Sequence, residues 1–169
     1  MIQPASFARE YRPSNCGSGP GTGGKFRKAI GFRIAEANYA IREARKLAWI
    51  DPENVFLMGM SEGGITTAKF RGEPVNARII EGHSCHQGWP EWDGLDAPES
   101  EPVLSLMGRN DPWQRGKSWW GLDCGIRMSS SNGSRSIVVT KGRYANEHAV
   151  LMDSDVEAAV KAFFKAHLK

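Results

Sequence analysis

The sequence predicts an α/β fold, a three-layer sandwich around a mainly parallel sheet, on two observations. Short apolar runs alternate with stretches whose apolar residues recur every three or four positions, and strands alternating with helices build parallel sheets. The runs are apolar at consecutive positions, as strands covered on both faces should be. With 169 residues, 40% of them hydrophobic, the chain suits one domain with its own core, and no repeat or boundary divides 1–169.

The elements follow in order. Residues 1–26 read as an irregular N-terminal segment. After it, Ile30, Ile34, Ala37, Ile41, Ala44 and Leu47 lie on one stripe of an amphipathic helix. "DPEN" (51–54) ends that helix with a turn signal, and the run from Val55 to Met58 reads as a buried parallel strand. A short helix is expected after Ser61, and three more strands in "ARIIEG" (77–82), "PVLSLMG" (102–108) and "SIVVT" (136–140). Between them, 84–101 and 112–135 read as loop or lid regions. A last helix from about Ser154, capped by Ser154 or Asp153, presents Val156, Ala159, Val160, Phe163 and Phe164 to the core.

Charge and composition remove several function classes. The 22 basic and 19 acidic residues leave a net charge of +3, scattered rather than gathered in a stripe, so no nucleic-acid partner is expected. No run approaches the ~20 apolar residues of a membrane span, and "MIQPASFARE" has no apolar signal-peptide core. The chain reads as soluble and cytoplasmic, with no membrane partner. Cys16, Cys85 and Cys124 lack metal or redox spacing; thiols are the default, with one disulfide among them possible.

Two motifs do not carry the chemistry they suggest. "GPGTGG" (19–24) fits G-x-G-x-x-G, but no strand feeds into it and Glu43 falls inside a helix, so it reads as a flexible loop. "HSCH" (83–86) offers two imidazoles and a thiol without companion ligands and reads as an ordinary loop. Neither a metal nor a cofactor is expected.

"GMSEG" (59–63) is different, because it lies between a buried strand and a helix. A tight turn there strains Ser61, lifts its hydroxyl above the sheet edge and aims helix N–H groups beside it. A serine nucleophile needs a base, and the base an acid to orient it. Asp111 follows the third strand and His148 lies between the fourth strand and the last helix, so both fall at the carboxyl edge of the sheet. His83, His86 and His167 fit that order less well, and the rival acids Asp123 and Asp153 do not directly follow a strand.

The residues "SFAR" (6–9), Arg12, Pro13 and Cys16, "WIDPENVFLMGMSEGG" (49–64), "PVLSLMGRNDPW" (102–113) and "NEH" (146–148) resemble the dienelactone hydrolase-like branch of the α/β-hydrolases. The resemblance implies a Ser61–His148–Asp111 hydrolase of carboxylic esters or lactones, working without a metal. Two departures stand out: members named for dienelactone cleavage carry cysteine in place of Ser61, and serine-type relatives often carry histidine in place of Met60. By that resemblance "IQPASFAR" is the end of the family's fourth strand, so a truncated α/β-hydrolase fold lacking the first strands is expected. The loop that would supply one oxyanion donor is then missing, and the Glu62 N–H is the remaining one.

The function expected is therefore hydrolysis of an ester or lactone through an acyl-enzyme, slowed by the missing donor. Trp89, Trp113 and Trp119 are candidates for a substrate wall. Two other readings stay open: a peptidase or acyl-peptide hydrolase, and a non-catalytic remnant serving as a binding or assembly module. Truncation would leave 55–58 on a sheet edge, and a homodimer covering it is expected.

Overall fold

The computed structural model describes residues 1–8, 10, 23–88 and 92–169, with the backbone alone for 7 and 23–27. Cys16, Trp89 and most of the 19–24 loop lie outside the described residues. Four strands, β1 (Phe56–Met60), β2 (Ala77–Glu81), β3 (Val103–Gly108) and β4 (Arg135–Val139), form one sheet in the order β1-β2-β3-β4. Every neighbouring pair is parallel. The helices are α1 (Gly23–Ala44), α2 (Glu62–Lys69) and α3 (Ser154–Ala166). The fold class is α/β.

Alternating strand residues meet different helices, which is why apolar residues fall at consecutive positions in the strands. Ala77, Ile79, Leu104 and Leu106 cluster with Val156, Val160 and Phe163 of α3. Ile80 and Val103 cluster instead with Ala68 of α2, and Leu57 packs into the group of Ile41, Phe70 and Val75. A fully buried side chain of this size contributes about 1.5–3 kcal/mol relative to exposure, so β2 and β3, buried along their whole length, anchor the domain.

Several expectations need correction in detail. The first strand runs two residues beyond 58, and as the sheet edge it is partly open, with Met58 38% and Met60 41% exposed. Helix α1 stops at Ala44, leaving Leu47 outside it and exposed, because the chain turns before the stripe completes. The region 112–135 contains a 3-10 turn, Cys124–Arg127, capped by Asp123, whose side chain accepts from the Gly125 N–H. Asp153, not Ser154, caps α3 by accepting from the N–H groups of Asp155 and Val156.

The cysteines are also corrected. Cys85 and Cys124 form a disulfide across 39 residues, with Cα atoms 5.0 Å apart, so they are not thiols. Closing a loop of that length stabilises the fold by about 4 kcal/mol on chain-entropy grounds. The core also holds a buried ion pair that no periodicity announces. Arg78 of β2 is 1% exposed and meets Glu101 at 2.6–2.7 Å while donating to the carbonyls of Thr67 and Phe70.

Candidate active site

Ser61 stands at the turn from β1 into α2 with φ 56° and ψ −117°, a left-handed conformation that non-glycine residues rarely adopt. The turn closes because Gly59 has no side chain: a Cβ there would meet the Gly63 carbonyl oxygen at 2.1 Å. Gly63 itself faces open space, so its place in the motif has no steric reason here. The Ser61 N–H donates to the Glu81 carbonyl at 2.8 Å, tying the turn to the end of β2. Glu62, the next residue, pairs its carboxylate with Arg33 of α1.

Asp111 lies just past β3 and is buried, with 1% exposure. Its Oδ2 is 2.7 Å from His148 Nδ1, and its Oδ1 accepts from the Trp113 N–H at 2.9 Å. A carboxylate can only accept, so this bond puts the proton on Nδ1 and leaves the Nε2 lone pair available. That Nε2 is buried and, among the described residues, has no hydrogen-bond partner; Ser61 Oγ is not bonded to it. Catalytic hydrogen bonds are often long before substrate arrives.

What joins the serine turn to the imidazole is the pair Glu81-Gly82. Gly82 has φ 65°, and a Cβ on it would meet His148 Cε1 at 2.8 Å, so the ring lies against its backbone. Glu81 is 3% exposed, and its Oε1 accepts from the Val150 and Leu151 N–H groups at 2.7 and 2.8 Å. Sequence reading missed it. A charged residue closing an apolar strand run was the available signal, since buried charges are rare without partners.

The remaining candidates separate. Trp113 is 72% exposed, with its ring 5.8 Å from that of His148. Trp119 is half-buried near Gly88, without a described contact to Ser61 or His148. The rivals Asp123 and Asp153 are both caps. Burial first, then the charge of Lys69, pushes His83 down to about 3, so it stays neutral at working pH. Cys85 of the "HSCH" stretch is held in the disulfide, and among the described residues no three His, Cys, Asp or Glu side chains are grouped to hold a metal. In comparisons with protein-family models, curated proteins and solved structures, none matched the chain.

Proposed function

We propose that the chain is a serine hydrolase of carboxylic esters or lactones. The observation that carries the reading is the buried Asp111–His148 bond, joined through Glu81 and Gly82 to the strained Ser61 turn. Ser61 Oγ attacks the carbonyl carbon while Nε2 takes its proton, and Asp111 holds the imidazolium that results. The Glu62 N–H at the start of α2 stabilises the oxyanion. Collapse of the intermediate expels the alcohol with the proton from Nε2, and water releases the acyl group by the same steps reversed. Trp113, exposed beside the imidazole, offers an aromatic surface to the leaving group or acyl chain.

The unmade Ser61–His148 bond favours the second reading, a non-catalytic binding module. A fluorophosphonate probe separates them. Intact mass after reaction should show one adduct on the wild type and none on Ser61→Ala; a folded wild type without adduct supports the binding module. For partners, the half-exposed β1 edge supports a homodimer, since unpaired strand groups invite pairing. The Cys85–Cys124 disulfide speaks against a cytoplasmic setting, because disulfides persist mainly in oxidising compartments. No helix among the described residues is long and apolar enough to cross a membrane.

A further inference from the structure

We infer that Glu81 is a positioning residue for His148. Its carboxylate fastens the segment behind the imidazole through the Val150 and Leu151 N–H groups, and its own carbonyl fastens the Ser61 turn. One residue therefore sets the separation between nucleophile and base.

The argument starts from the cost of the carboxylate. A buried charge is expensive unless it is paired or hydrogen-bonded, and no cationic side chain meets Glu81 among the described residues. Its compensation is the two backbone donors, both within three residues of His148. An apolar side chain would complete the β2 run without that cost, so core packing does not account for a glutamate. Hydrogen bonds to an ionised acceptor are roughly twice as strong as neutral ones, and here they add to the packing of Val150 and Leu151 on the core in holding the segment. Next in sequence, Gly82 gives the ring its space. Misplacing a reacting group by about 1 Å can cost on the order of 100-fold in rate, so the tether bears directly on turnover.

The effect on turnover rests on the hydrolase reading; the effect on the Asp111–His148 bond does not. Both are read on the full chain as wild type, Glu81→Gln, Glu81→Ala and Glu81→Asp. Proton NMR observes the low-field Nδ1–H resonance of His148, assigned by its loss in His148→Ala, and circular dichroism checks the fold. The resonance should persist in the wild type and in Glu81→Gln, whose amide oxygen still accepts, and vanish in Glu81→Ala. In parallel, kcat for a short-chain aryl ester should fall at least tenfold in Glu81→Ala with KM nearly unchanged, and Glu81→Gln should recover to within about threefold. If Glu81→Ala does not fold, Glu81→Asp decides, because it keeps the charge but withdraws it by one methylene. A folded Glu81→Ala or Glu81→Asp that retains the resonance overturns the inference, as does a wild type without it. Resonance without turnover in the wild type sinks the hydrolase reading alone, and the resonance series still decides the role of Glu81.

Discussion

Replacing Asp111 by asparagine changes one atom and, by the geometry around it, should nearly stop hydrolysis. Asp111 Oδ1 accepts from the Trp113 N–H, so an amide placed there must keep its oxygen on that side. Turning the NH2 toward Trp113 would set donor against donor in a buried site, at about 1–3 kcal/mol. The NH2 therefore faces His148 Nδ1, which must accept and so gives its proton to Nε2. An Nε2 carrying hydrogen cannot take the proton of Ser61. In Ser-His-Asp arrangements this wrong tautomer lowers kcat by about 10⁴-fold, and at 1.36 kcal/mol per tenfold that is about 5 kcal/mol on the barrier. The assay is kcat/KM for a short-chain aryl ester, with thermal melts as the check on folding. An Asp111→Asn protein that melts normally and stays within tenfold of wild type would refute the reasoning. Asp123→Asn is the control: its carboxylate caps a 3-10 turn, and the rate should not move.

Ser61→Ala and His148→Ala should each abolish turnover without changing the melt, because the groups act as a unit; retained activity in either removes the assignment. For Gly82→Ala, the added methyl would meet His148 Cε1 at 2.8 Å and the left-handed φ adds about 1–2 kcal/mol of strain, so the rate should drop by one to two orders of magnitude, measured with the same ester. Arg78→Ala strands the Glu101 carboxylate in the core, and urea denaturation should report a loss of about 3–5 kcal/mol; a loss below 1 kcal/mol would mean the pair is not buried in solution. Light scattering at micromolar concentration should give twice the chain mass if the β1 edge self-associates, and a stable monomer would remove the dimer.

The sequence disclosed what is local or periodic. All four strands were visible as apolar runs, and their ends fell within about two residues, because parallel strands buried on both faces leave a continuous signal. Ser61, Asp111 and His148 stood out as candidates because each follows a strand, and strand ends define one edge of a parallel sheet; of these, Asp111 and His148 meet in the fold. What stayed hidden depends on pairings across long separations. Glu81 finds its donors about 70 residues on, and Arg78 meets Glu101 23 residues away. Nothing near either position names its partner. The disulfide was one of three possible pairings until the fold brought Cys85 to Cys124. Trp113 and Trp119 look alike in sequence, and only the loop path places one by His148.

The Arg78–Glu101 pair also has a consequence for descent. Losing either partner costs about 3–5 kcal/mol, against the 5–15 kcal/mol that roughly spans the whole stability of a domain, so a lineage passing through a lone charge crosses a valley. An apolar pair of the same volume is often as stable or more so. Both ends of that path are habitable and its middle is not. Chains descended from a common ancestor with this one should carry both charges at 78 and 101 or neither, so that two positions far apart in the gene are inherited as one character.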